Sequence, residues 1–329
     1  MLPVIQACGP NDTGISLAGD WVADIVSENG DQMPDMMVLS PDHRYLYQSL
    51  ETNENLLSPS LARMDLRTGR RDLLIHGMAR ADGLKMAPDG SLWLGEEWQD
   101  GLVWRIESPE KLPPGQRVDR QRLKSSHSSI QPVPAAGRFA HEGLAFSKDG
   151  RYLYLADEWK EGCLYRYELS SGALQVFHSK QGWLTIERPH AARVESEKLH
   201  GRMFLRIEDM ERLPDGRILM SETGSAESPG KILVLKDGYP GAEVGVYLKH
   251  ERLRHPDNLE WDNVHSWLWI TDDSDPSILW IWDGRNLREV ARHDSAEITG
   301  VESASDGSIY INLQHHRFAQ DLTLRLRKK

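Results

Sequence analysis

Hydrophobic and polar positions along this chain repeat as one phrase, used six times. Each copy has an acidic residue, a short apolar run, a turn usually built on Asp-Gly, and a second run rich in Tyr, Trp, Leu and Ile. The copies read PDMMVLSPDHRYLY from Pro34, ADGLKMAPDGSLWL from Ala81 and HEGLAFSKDGRYLYL from His141. They continue as EDMERLPDGRILM from Glu208, PDNLEWDNVHSWLWI from Pro256 and GVESASDGSIYI from Gly300. The apolar runs have strand length and no sustained 3.6-residue period, and Asp-Gly tolerates the positive φ of tight hairpin turns. The turn aspartates Asp42, Asp89, Asp149, Asp215, Asp262 and Asp306 are spaced by 47, 60, 66, 47 and 44 residues. That period suits a blade of four strands, so the chain is expected to be all-β: one six-bladed β-propeller domain over residues 1–329.

LVWRIE at Leu102–Glu107, CLYRYEL at Cys163–Leu169, KILVLK at Lys231–Lys236 and ILWIWD at Ile278–Asp283 supply third strands. The Pro-, Lys- and Ser-rich segment 108–135 reads as a surface loop. After the sixth hairpin only Leu322–Lys328 remains, too little to finish a blade. An N-terminal strand near Trp21–Ile25 is therefore expected to close the ring.

In an antiparallel hairpin the start of the first strand lies beside the end of the second, so both positions share one face of the ring. Acids crowd there in every blade. Blade one offers Asp35 and Glu51, blade two Asp82, Glu96 and Glu97, and blade three Glu142, Asp157 and Glu158. Blade four offers Glu208, Asp209 and Glu222, blade five Asp257, Asn258, Asp272 and Asp273, and blade six Glu302 with Gln314 and His315. Carboxylates so placed repel one another unless a cation neutralises them. An all-oxygen set selects Ca²⁺ over zinc. The candidate metal ligands are Glu96, Glu97, Glu142, Asp157, Glu158, Glu208, Asp209, Asp257, Asp272 and Glu302. Alternation along a strand sends only one of two adjacent acids inward, so about half of them are expected to touch metal. His141 and His315 are candidates for proton transfer, with His255 a weaker third.

Charge and composition narrow the partners. Against 39 Lys+Arg stand 50 Asp+Glu, a formal charge of −11, and only Arg325, Arg327, Lys328 and Lys329 cluster as bases. Nucleic acid is not an expected partner. With a mean hydropathy of −0.53 and no apolar run of spanning length, neither is a membrane. The opening MLPVIQACGP lacks the basic start and apolar stretch of a secretory signal, so a cytoplasmic location is the expectation unless the chain is a trimmed mature form. Cys8 and Cys163 form no recognisable metal or redox motif.

The ordered series GEEW, RFAHEGLAF…LYLADEW…LYRYE, RIEDM, DNLEWD…LWITDD and ITGVES…DGSIYINLQHH resembles the PhoX-type alkaline phosphatases over residues 80–316. EDMERLPDGRILMSETG and DNLEWD are also similar to the paraoxonases, and the GLxxxxDGxLY phrase to gluconolactonase-type propellers. All are Ca²⁺-binding six-bladed folds. The first resemblance implies a phosphomonoesterase with calcium and iron in the channel. It singles out Glu97, Glu142, Glu208 and Asp272 as ligands and Arg206 as the group that grips the substrate phosphate. The family cysteine before Glu-Glu, an iron ligand, is Gly95 here, the proline of its RPED is Ile207, and QHPG reads Gln314-His315-His316-Arg317. Calcium without iron is therefore expected. The leading expectation is a metal-dependent hydrolase of a small-molecule phosphoester. The alternatives are a Ca²⁺-dependent lactonase or esterase, and a non-catalytic propeller that keeps Ca²⁺ for stability.

Overall fold

The computed structural model describes residues 13–52, 55, 57–225, 228–238, 241–315 and 320–329. Cys8, His316 and Arg317 lie outside the described residues. Six sheets, antiparallel in their four inner strands, stand round a central channel, one for each copy of the repeat. In blade two the strands are Ala81–Met86, Leu92–Glu96, Val103–Ile106 and Ile130–Pro132, from the channel outward. The other blades follow this order, with first strands Pro34–Leu39, His141–Phe146, Ile207–Arg212, Pro256–Asp262 and Glu297–Ser303.

Strands alternate their side chains between two faces, and each face packs on the next blade. Trp93, Phe146 and Tyr165 fill the space between blades two and three, and Trp269, Leu279, Ile311 and Leu324 that between five and six. The seam between blades one and six differs. There Gln48 Nε2 donates to Asn312 Oδ1 at 2.9 Å and to Thr323 Oγ1 at 2.8 Å, all three groups being buried.

The ring closes as the leftover strand requires. Trp21–Gly30 pairs antiparallel with Asp321–Lys328, from Trp21 opposite Lys328 to Gly30 opposite Asp321. Trp21 is buried and meets Trp269 edge-on, with centroids 5.4 Å apart. Losing this strand exposes the edge of Asp321–Lys328 together with Leu322, Leu324 and Leu326, each contributing roughly 1.5–3 kcal/mol by burial. A chain beginning after Gly30 is expected to lose its cooperative thermal transition. A sharp melt of that truncated chain within a few degrees of the full one would contradict closure by this strand.

The segment 108–135 is more than a surface loop. Ile130–Pro132 is the outer strand of blade two, and Gln116–Asp119 runs parallel to Arg70–His76 of blade one. Val118 and Ile130 are buried there, which is why this polar stretch still docks. No helix among the described residues is long and apolar enough to cross a membrane.

Candidate metal centre at the channel mouth

Where the first strands begin, three rows of side chains repeat round the channel mouth. The entry row stands just before the first strand in five blades, at Met33, Arg80, Ala140, Arg206 and His255, and in blade six it is Glu297, opposite Gln314. In five blades its carbonyl accepts the N–H of the second residue row, which follows the residue that strand two pairs with the start of strand one. The bond recurs as Glu51 N to Met33 O, Glu97 N to Arg80 O, Glu158 N to Ala140 O, Thr223 N to Arg206 O and Asp273 N to His255 O, at 2.8–3.1 Å. The inner row, two residues after the entry row, is Asp35, Asp82, Glu142, Glu208 and Asp257. Blade six has Thr299 at that position and supplies its acid, Glu297, from the entry row.

These rows enclose a cavity of about 190 Å³ lined by Asp35, Asp82, Glu142, Glu208, Asp257 and Glu297, with Glu51, Glu97, Asp273 and His315 at its rim. Glu158 joins through Arg206, so ten carboxylates face the guanidiniums of Arg80 and Arg206. Burial, reinforced by Glu97 and Glu208, pushes the Asp35 carboxyl up to about 7. Burial pushes Glu97 to about 7, against the pull of Arg80, and Glu297 to about 9 with Asp273 beside it. Asp82, Glu142 and Asp257 are likewise raised well above the ordinary carboxylate range, by desolvation first and like charge second.

Two sets of oxygens converge closely enough to share an ion. One ligand atom each from Asp35, Glu51 and Asp82 lies within 4.8 Å of the others, and so does one each from Glu97, Glu142 and Glu158. Asp82 is 3% exposed and its Oδ1 has no hydrogen-bond partner. A buried carboxylate oxygen left bare costs free energy that a cation would recover. This donor set fits a divalent metal.

The structure brings Glu97, Glu142, Glu158, Glu208, Asp257, Arg206 and His315 together at this mouth and sends the other sequence candidates elsewhere. Glu96 turns away from the channel: its carboxylate accepts Arg120 Nε at 2.8 Å, Leu102 N at 3.0 Å and Trp104 Nε1 at 3.1 Å. Asp157 is clamped by Arg193 at 2.6 and 2.7 Å. Asp272 accepts Arg254 N at 2.9 Å and His255 N at 3.0 Å. These three end strand two, where alternation points the side chain back at the entry turn instead of into the mouth. Glu222 repeats the arrangement, holding Leu205 N at 3.1 Å. Asp209 points inward from the mouth, accepting Leu259 N at 2.9 Å with Lys85 Nζ 3.7 Å away.

Glu302 is also a correction. It lies opposite Tyr310, as Glu260 lies opposite Trp269, Glu211 opposite Leu219 and Lys85 opposite Trp93. It therefore belongs to a deeper ring around Lys85, and its Oε1 accepts Leu39 N at 2.9 Å. Its 12-residue distance from Gln314, against 14 or 15 in the other blades, was the visible sign of a different level. Sequence reasoning missed Glu297, which lies ahead of the sixth phrase as read from Gly300. It also missed Arg80, although Arg80-Ala81-Asp82 aligns with Arg206-Ile207-Glu208.

His141 cannot serve as an acid or base at the mouth. It is fully buried, lies tilted against the Phe139 ring with centroids 3.9 Å apart and meets Gly137 O through Nε2 at 3.3 Å. Burial lowers its pKa to about 3. The backbone of this residue also explains Gly95. A Cβ at position 95 would stand 2.5 Å from His141 O, so the blades meet too closely for a thiolate. Gly95→Cys is expected to lose about 1–3 kcal/mol by overpacking and to gain no iron, read by denaturant melts and metal analysis. A stable, iron-loaded variant would show that the site accepts the side chain.

The chain is thus a six-bladed propeller with an acidic cup suited to metal at one end of its channel. It matches no known protein-family profile and no curated protein, so the likeness to PhoX-type phosphatases finds no support there. Among solved structures it is similar to a gluconolactonase from Xanthomonas campestris, with 12% identity and a TM-score of 0.63 over 95% of this chain and 91% of that one. It is similar to the PQQ-bound form of an aldose sugar dehydrogenase from Streptomyces coelicolor, with 12% identity and a TM-score of 0.56 over 95% and 100%. A calcium structure of a carbohydrate-active enzyme of family AA12 from Trichoderma reesei gives 9% identity and a TM-score of 0.56 over 96% and 97%. At these identities the likeness is one of fold.

Proposed function

We propose that the chain is a divalent-cation-dependent hydrolase of a small polar ester, a lactone in the first instance, with Ca²⁺ as its cation. The observation that carries this reading is Asp82, a buried carboxylate with one oxygen unpartnered inside a convergent triad. The gluconolactonase fold supports the choice of a lactone over a phosphoester. Asp35, Glu51 and Asp82 would hold one ion and Glu97, Glu142 and Glu158 another. Both triads offer oxygen alone, as Ca²⁺ prefers, and neither contains His or Cys. A cation held by these triads would supply polarisation of the ester carbonyl and counter-charge for its oxygen.

The remaining residues divide the other tasks. Asp257 lines the cup outside both triads, takes a hydrogen bond from Asn258 Nδ2 at 3.1 Å, and is assigned to receive the proton of the attacking water. His315, exposed at the rim, is assigned to return a proton to the leaving group. A second reading, phosphoester hydrolysis, is favoured by one feature: two guanidiniums stand at the same mouth.

The deciding experiment uses protein stripped with a chelator and then reloaded with Ca²⁺. Restored turnover of glucono-lactone without turnover of p-nitrophenyl phosphate is the expected result. The opposite pattern transfers the assignment to the second reading. No turnover of either, with Ca²⁺ raising only the melting temperature, rejects catalysis and leaves a calcium-stabilised binding propeller.

A further inference from the structure

Positive charge is unexpected beside a cup built for cations, yet Arg80 and Arg206 stand at equivalent positions on its rim. Arg80 makes an ion pair with Glu51 of blade one and reaches Glu97 Oε2 of its own blade at 2.7 Å. Arg206 holds Glu158 of blade three through Nε at 2.5 Å and Glu208 of its own blade through Nη2 at 3.0 Å. Each guanidinium therefore spans two blades. Glu51 belongs to the first convergent triad, and Glu97 and Glu158 to the second. The two arginines bracket that second triad from either side.

We propose that Arg80 and Arg206 are exchangeable counter-ions: a divalent cation takes over the carboxylates they hold, and the released pair receives a negatively charged group on the substrate. This rests on the cation-dependent reading above and adds a substrate class to it. The ester or lactone carries an anion, either a carboxylate or a phosphate.

Electrostatics decide the direction of exchange. A dication carries twice the charge of a guanidinium and coordinates oxygen at about 2.3–2.6 Å, so at equal dielectric its attraction for one carboxylate is roughly double. In the metal-free cup the arginines hold the acids; in the loaded cup the cation does. The displaced side chains have room to turn, being 38% and 46% exposed. Their backbones do not move with them, because Arg80 O accepts Glu97 N at 2.8 Å and Arg206 O accepts Thr223 N at 3.0 Å. Both guanidiniums therefore stay at the rim. Planar, permanently charged forks suit carboxylate or phosphate oxygens in pairs, which a lysine would not reproduce.

Calorimetric titration of Ca²⁺ into metal-stripped wild type, Arg80→Ala, Arg206→Ala and Arg80→Lys tests the exchange. Removing a competing guanidinium is expected to tighten Ca²⁺ binding roughly tenfold, whereas Arg80→Lys, which keeps the charge, stays near wild type. Gluconate and dilute inorganic phosphate are then titrated into the metal-free and Ca²⁺-loaded forms. Wild type is expected to bind one of the two anions only when loaded, and each alanine variant to lose that binding at least about tenfold. Binding of gluconate identifies a carboxylate-bearing substrate, and binding of phosphate a phosphorylated one. If wild type binds no Ca²⁺, the cation-dependent reading itself fails. If Ca²⁺ binds wild type but the alanine variants bind it equally or more weakly, the exchange is overturned. If exchange occurs and neither anion binds the loaded protein, the receptor role is overturned. Thermal melts of all variants establish that each is folded.

Discussion

Stripped of metal, the protein is expected to melt higher at pH 5.5 than at pH 8, by roughly 5–10 °C, and saturating Ca²⁺ should erase that difference. Asp35, Asp82, Glu97, Glu142, Asp257 and Glu297 bind protons more tightly in the folded state than in the unfolded chain, where Asp and Glu titrate near 4. Asp35 and Glu97 are raised to about 7 and Glu297 to about 9, in each case by burial first. A folded state that holds more protons loses stability as pH rises, so the loss begins near pH 4–5 and continues to about 9. Acid does not help indefinitely. Asp42 and Asp149 are held below the ordinary carboxylate range by their Ser40 and Ser147 hydroxyls, so their contribution is lost as pH falls through those lowered values. Ca²⁺ replaces the protons as counter-charge and adds about 2.7 kcal/mol for each site at 100 times its Kd. Calorimetric melts in chelator at the two pH values check this. A metal-free protein that melts higher at pH 8 would show that the acids are not crowded as described.

Substituting Asp82 by Asn should separate stability from metal binding. The variant removes a buried carboxyl whose ionisation the fold opposes and whose Oδ1 nothing satisfies, so the metal-free protein at pH 8 is expected to gain stability. Its Ca²⁺ affinity should fall roughly 100-fold, because the ligand charge of the first triad drops by one. Turnover at fixed low Ca²⁺ should fall with it. Glu96→Ala makes the contrast. Glu96 pairs with buried Arg120, so its loss should cost about 3–5 kcal/mol while Ca²⁺ affinity per folded molecule stays at the wild-type value. Two acids of neighbouring blade levels would thus respond in opposite ways. Equal loss of calcium affinity in both variants would contradict the assignment of Glu96 to the entry turn.

That contrast also marks how far the site could be read from the chain. The six acid–strand–turn–strand phrases were enough for the fold, the blade count and the closing strand, because strand period and turn chemistry are local properties. They were enough as well to place Asp35, Asp82, Glu142, Glu208 and Asp257 at one end of the ring, since hairpin geometry alone puts the start of strand one there.

Which neighbour of each acidic pair reaches the cup was a different matter. In Glu96-Glu97, Asp157-Glu158 and Asp272-Asp273 both residues are equally polar, and only the pleat decides that the first brackets the entry turn while the second faces the mouth. His141 reads as a titratable group beside the ring, but the packing of blade three against blade two encloses it. Glu302 sits at the level of Lys85 and Glu260, below the cup, and blade six carries its mouth acid at Glu297, five residues earlier. Every first strand has a bulge between these two levels, and side-chain direction beyond such a shift is not set by sequence spacing. The sequence by itself determined a propeller with carboxylates gathered at one end. Only the tertiary structure decided which oxygens meet, that Asp82 is left without a partner, and that two arginines occupy the acids a cation would claim. Those outcomes depend on distances between blades, and no local pattern within a blade encodes them.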